Sequence, residues 1–243
     1  MSGHSHAKTI KHQKEITDQK RGQMFSKLSR MISVAVKEKG PSPETNYKLK
    51  IAIETAHTFN MPKENIERAI SRASGEGAEE KLEEFIFEAY GPGGIAIIAE
   101  GITDNRNRTL GDFKQALNQY GGKMVAEGSV RWMFDRKGVI IINIKDQVPE
   151  IKNEEMELKA IEAGAEDLYW HDDVLDIYTK PEDLEKVKKS LEEKGTKTDS
   201  VSLDWIAKEE VEADEKTKEA NQKLFEILDE NDSIQEVYSN LKN

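Results

Sequence analysis

The sequence predicts an α+β multidomain protein: an N-terminal helical bundle plus two α+β domains, the second (ferredoxin-like) inserted in the first. Three observations carry this. Apolar residues between 24 and 73 recur only at helical spacing, with no strand pattern among them. Residues 139–206 run in the order β-α-β-β-α-β. One helix and one strand follow, too little to fold alone, so they are expected to complete the β-β-α-β of residues 84–135. The expected domains are 1–75, 83–135 with 207–243, and 136–206, within the two to three small domains that such a length allows.

The elements follow in order. Phe25, Leu28, Ile32, Ala35 and Val36 mark a helix over 24–39, stopped by Gly40 with Pro41 and Pro43. Leu49, Ala52, Ile53 and Ala56 mark a second helix. Ile66, Ala69, Ile70 and Ala73 mark a third, with Pro62 in its first turn. Residues 74–82, glycine-containing and charged, read as a linker. "EEFIFEAYGPGGIAIIAEGIT" gives two strands around a Gly-Pro turn. A helix follows, with Thr109 and Asp112 in capping-box spacing and Leu110, Phe113 and Leu117 inward. "SVRWMFDRKGVIIINIK" supplies two more strands, and Trp132 and Trp170, flanked by apolar residues, read as core. Then come helix 152–163, strands 167–171 and 173–179, helix 181–194, strand 198–206, helix 214–229 and the strand "SIQEVYS".

Charge is divided along the chain. Residues 1–73 carry 14 Lys or Arg against 7 Asp or Glu, while the whole chain has net charge −11. The first part is therefore +7 and the remainder −18. Such a split points to a polyanion as partner of the basic end. Residues 3–30 hold seven Lys or Arg, two acids and three of the five histidines. Lys8, Lys11, His12, Lys14, Lys20, Arg21, Lys27 and Arg30, with His4 and Ser5 ahead of them, are the candidate phosphate contacts. They cannot share one helical face, so a flexible or bent segment is expected.

Two loops add candidates. "TDNRNRT" joins a strand to a helix: Asp104, Asn105 and Asn107 can cap and turn the chain, while Arg106 and Arg108 set two guanidinium forks beside free helix N–H groups. The same arginines could instead pair with nearby carboxylates. "YGPGGIAI" places Gly91, Pro92, Gly93 and Gly94 between strands, either as a plain hairpin turn or as an edge that a partner approaches.

Other classes find little support. Cysteine is absent, which excludes disulfides, thiolate metal sites and thiol nucleophiles. No phosphate-binding loop, HExxH or GxSxG is present, and His171 is the only histidine beyond residue 57. No enzyme activity, cofactor, metal or small-molecule substrate is expected. No apolar run is long enough for a membrane span, and a cytoplasmic location is expected.

The motifs "GHSHAKTIKHQK" (3–14), "KRGQMFSKLSR" (20–30), "NMPKENIERAI" (60–70), "YGPGGIAI" (90–97), "TDNRNRT" (103–109), "GGKM" with "GSVRWMF" (121–134) and "VYSN" (237–240) together resemble the YebC/PmpR family, which includes the mitochondrial translational activator of cytochrome c oxidase I. His6, Ala7 and Gln13 stand where that family usually has Lys, Trp and Arg. The resemblance implies three domains, no enzymatic activity, and a nucleic-acid partner: DNA for members labelled transcriptional regulators, ribosomal RNA or the ribosome for those acting in translation. A protein-binding adaptor, its acidic body gripping a basic partner, remains the other class.

Overall fold

The computed structural model describes residues 18–75, 81–147, 149 and 151–242. These form two compact units. One takes the described residues up to Asp135 and resumes at Ala207; the other is Arg136–Ile206.

The first unit opens with three helices: α1 (Asp18–Lys39), α2 (Tyr47–Thr58) and α3 (Lys63–Ser74). Leu28, Ile32, Ala35 and Val36 of α1 meet Leu49, Ala52 and Ala56 of α2 and Ile66 and Ala69 of α3 in one buried cluster. The i, i+3, i+4 spacing puts each set on one stripe. α1 begins earlier than apolar periodicity suggests, because its first turns, Asp18 to Gln23, are polar. The α1–α2 corner turns on Asn46, which is fully buried. Its Oδ1 caps α2 at Leu49 N (3.1 Å), and its Nδ2 donates to Ala35 O (2.7 Å) and Gly40 O (2.8 Å).

The chain then builds a four-stranded sheet from β1 (Glu83–Tyr90), β2 (Ala96–Thr103), β3 (Lys123–Met124) and β8 (Ile234–Ser239), ordered β3-β1-β2-β8. β1 and β2 are an antiparallel hairpin registered from Glu83↔Thr103 to Tyr90↔Ala96. Two helices, α4 (Arg106–Gln119) and α7 (Glu215–Asp229), contribute to its core. Phe85, Phe87, Ala89 and Ile97 of the sheet pack with Phe113 and Leu117 of α4 and Leu224, Phe225 and Leu228 of α7. The late helix and strand thus complete the early half-domain: β8 pairs with β2 across more than a hundred intervening residues.

The second unit holds β4 (Phe134–Asn143, whose first two residues belong to the first unit), α5 (Asn153–Ala163), β5 (Asp167–His171), β6 (Val174–Thr179), α6 (Leu184–Glu193) and β7 (Ser200–Ala207). Its sheet order, β5-β6-β4-β7, is that of a ferredoxin-like fold. Ile140 and Ile142, together with Leu175 and Ile177, are fully buried. Trp170 is half-buried and donates to Glu157 Oε1 (2.6 Å).

Candidate nucleic-acid interface

His4, Ser5, Lys8, Lys11, His12 and Lys14 lie outside the described residues. Lys20 and Arg21 are exposed in the first turn of α1.

The next two candidates need correction. Lys27 is only 4% exposed. Its Nζ donates to Asp229 O (2.7 Å) and to Asp229 Oδ1 (2.8 Å). The Nη1 of Arg30 donates to Asp232 O (2.7 Å) and Ser233 Oγ (3.2 Å), and Gln23 Nε2 donates to Glu230 O (2.8 Å). The cause lies in α7, which ends at Asp229. Its last carbonyls have no intrahelical partner and carry the negative end of the helix dipole. Cations delivered there satisfy both needs. Lys27 and Arg30 therefore tie the helical bundle to the α7–β8 corner; Lys27 is buried there, while Arg30 is half-buried with its guanidinium engaged by that corner. Lys48 makes a second tie, to Glu38 (2.9 Å) and, across to β1, Glu84 (2.7 Å). Burial lowers the Lys48 ammonium's pKa, but the two carboxylates outweigh that and raise it.

Sequence reasoning passed over Arg68 and Arg72. Ile66 and Ala69 of α3 face the bundle core, which turns Arg68 and Arg72 outward at i, i+4 spacing. Neither has an ion pair among the described residues. The signal was available: they are the polar complement of the apolar stripe that identified the helix.

The "TDNRNRT" loop is a helix entry. Asn105 is the N-cap of α4, its Oδ1 accepting from Arg108 N (3.1 Å). Thr109, expected at the cap, lies inside the first turn instead. It is buried with its Oγ1 2.8 Å from Thr103 Oγ1, and Asn105 N donates to Thr103 Oγ1 (2.9 Å). Arg108 pairs with Asp104 (2.7 Å) at the surface. Arg106 lies over the Phe87 ring, 5.5 Å from its centroid, with no ion pair among the described residues. Asn107 is exposed. Arg106 also lines a pocket of about 270 Å³ with Glu84, Phe85, Ile86, Glu127 and Arg131.

The "YGPGG" turn packs inward more than it faces a partner. A Cβ on Gly91 would sit 2.3 Å from Asn221 Oδ1 and 2.8 Å from Ile97 Cδ1. Pro92 O accepts from Asn221 Nδ2 (3.0 Å). Gly93 adopts φ 72°, and a Cβ there would meet Thr217 Cγ2 at 2.6 Å. Asn221 and Thr217 both belong to α7, so these residues fasten that helix to the hairpin. Gly93 and Gly94 are exposed, Pro92 is half-buried and Gly91 is buried.

Trp132 is 65% exposed, against the expectation of a core residue. The buried Glu88 carboxylate holds the start of its turn through Val130 N and Arg131 N. Among the described residues no group of three or more His, Asp or Glu could hold a metal ion.

A three-helix bundle with outward arginines, tied through Lys27, Arg30 and Lys48 to an acidic α+β body that carries an inserted ferredoxin-like unit, defines a distinct class of protein by its fold. Comparison with known proteins resolves that class. The family model described as "TACO1/YebC protein N-terminal domain" matches residues 5–76, and "TACO1/YebC second and third domain" matches 82–241. A protein of Halothermothrix orenii named "Probable transcriptional regulatory protein" is 45% identical over 241 residues, covering 99% of this chain and 94% of its own. One of the same description from Caldanaerobacter subterraneus is 44% identical, covering 100% and 98%. The crystal structure of a conserved hypothetical protein from Aquifex aeolicus superposes with TM-score 0.85 at 42% identity, over 93% of this chain and 91% of that one. The chain belongs to the TACO1/YebC family, and these relatives carry the name "Probable transcriptional regulatory protein".

Proposed function

We propose that the chain is a non-enzymatic, cytoplasmic regulator of gene expression that binds nucleic acid, in the first instance DNA, through its basic N-terminal domain. The observation that carries this is the charge split, +7 over residues 1–73 against −18 beyond, together with what remains of that charge at the surface. With Lys27 buried and Arg30 engaged at the α7–β8 corner, Lys20 and Arg21 of α1 and Arg68 and Arg72 of α3 present cations outward. Phosphate contact depends on charge count more than on fixed geometry, which suits this scattered set and the six candidates that precede it. Arg106 and Arg108 supply a second, smaller contact. The three-domain division follows the same logic: a basic contact domain, a split body that holds it, and an inserted unit left for other partners.

A ribosome-associated role is the second reading, favoured by the resemblance to a translational activator. Ribosome co-sedimentation with and without RNase, set beside a DNA mobility shift at matched salt, separates the two. RNase-sensitive sedimentation with no shift selects RNA. Neither signal would reject nucleic-acid binding and leave the adaptor.

A further inference from the structure

Glu88 sits in the middle of β1 with 2% exposure. A buried carboxylate is expensive unless it is paired. Its oxygens accept from the backbone N–H groups of Gly128 (2.7 Å), Val130 (2.8 Å) and Arg131 (3.0 Å), and the Arg131 guanidinium lies at 3.2 Å. Every one of these donors belongs to one short loop. Burial pushes the Glu88 carboxyl up, but the three backbone donors and Arg131 outweigh it and hold the group below its ordinary 4.5. Val130, fully buried, pins the same loop from within.

The loop ends in a tight turn, Arg131–Met133, and that turn displays Trp132. The indole Nε1 donates to Ser129 O (3.0 Å). The ring's one polar group is thus satisfied locally, its orientation is set, and its apolar surface is left in water. Arg131, the residue before it, shares a pocket with Arg106, a cation with no ion pair among the described residues. Arg108 is exposed two positions further on. A fixed, exposed aromatic plane, next in the chain to Arg131 and so one residue from the pocket that Arg106 lines, matches what an unstacked base and its phosphate require. A duplex keeps its base faces covered and cannot use such a plane.

We propose that Trp132 is a stacking platform for an unpaired nucleobase, with Arg106 meeting the adjoining phosphate. The partner is then a single strand, or a loop with a splayed base. This rests on the nucleic-acid reading above and names the form of its partner. Arg131, bound to Glu88 and to Glu127 (3.1 Å), positions the turn.

The test uses the full chain and three labelled 12-nucleotide probes of mixed sequence: single-stranded DNA, the same sequence as RNA, and the DNA duplex. Trp132→Ala is expected to weaken single-strand binding about five- to a hundred-fold and to leave duplex binding within about two-fold. Trp132→Phe should recover most of the loss. Single-strand binding should quench indole fluorescence in the unaltered chain, and Trp132→Phe, which leaves Trp170 and Trp205 in place, should abolish that quench. The DNA and RNA arms show which strand is preferred. Unchanged single-strand affinity in Trp132→Ala overturns the proposal and would mark this face for a protein. So does equal loss on single strand and duplex, or a quench that survives Trp132→Phe. If the unaltered chain binds none of the probes, the nucleic-acid reading falls together with this one. Melting temperature, expected to be unchanged for so exposed a side chain, guards against misfolding.

Discussion

Lys27→Met separates the architectural from the phosphate-binding account of the "KRGQMFSKLSR" segment. The substitution keeps an unbranched apolar stem as far as Cε and removes the ammonium. Two hydrogen bonds go with it, to Asp229 O (2.7 Å) and Asp229 Oδ1 (2.8 Å). The Asp229 side chain is 76% exposed, so its share is small. The charge-assisted bond to the terminal carbonyl of α7 is the larger loss, about 1.5–3 kcal/mol, with about 0.3–1 kcal/mol more from the helix dipole. Methionine needs no desolvated charge, which returns part of this. The net expectation is about 1–3 kcal/mol of destabilisation, or a melting temperature lower by about 3–9 °C for a chain of this size. Circular dichroism melts paired with nucleic-acid affinity at one salt concentration read both quantities. Unchanged melting with affinity reduced several-fold would refute the reasoning, because it would mean that Lys27 leaves Asp229 to reach phosphate.

Other outcomes follow from the same contacts. Glu88→Gln should destabilise by about 1–3 kcal/mol at pH 7, since an amide cannot match a carboxylate as acceptor for three backbone donors. Because the Glu88 carboxyl titrates lower when folded than when unfolded, its contribution is fully present above about pH 4.5 and fades as pH falls through the folded value. The gap in melting temperature between Glu88→Gln and the unaltered chain should therefore narrow on acidification; a constant gap would remove Glu88's charge from the account. Gly91→Ala should cost about 1–3 kcal/mol through overpacking against Asn221. Gly94→Ala, at φ 79° with open space around it, should cost only about 1–2 kcal/mol of backbone strain. Comparable denaturation midpoints for the unaltered chain and Gly91→Ala would contradict the close approach. Arg106→Gln with Arg108→Gln should leave stability within about 1 kcal/mol, as exposed pairs contribute little, and weaken nucleic-acid binding; a large drop in melting temperature would show the loop to be internal.

Much of the architecture could be read from periodicity. The alternating strands and amphipathic helices of 136–206 announced their order, and a lone helix and strand at the end had to pair with something earlier. Local chemistry was less decisive. Thr109 and Asp112 fit a capping box as well as Asn105 fits an N-cap, and the structure decides it: Asn105 caps Arg108 N, and Thr109 is buried against Thr103, one turn into the helix. The site was harder. A lysine on a basic segment carries no sign of whether it meets phosphate or a helix end 202 residues away, so Lys27 and Arg30 looked the same as Lys20 and Arg21. Trp132 lies between Val130 and Phe134, both buried, and its neighbours lend it the look of core. What exposes it is the carboxylate of Glu88, on a different strand. Arg68 and Arg72, by contrast, were legible and simply overshadowed by the denser charge that precedes them.

The central claim is that nucleic acid is held by cations on the outward faces of α1 and α3. The salt dependence of affinity tests it most directly, measured on the full chain and on Lys20→Gln with Arg68→Gln and Arg72→Gln. If about six phosphates are neutralised, log K should fall against log salt with a slope of about −4 to −5. The triple substitution should reduce that slope by about two to three and leave the melting temperature in place. A slope near zero in the unaltered chain, or one that the triple substitution leaves unchanged, would contradict the account.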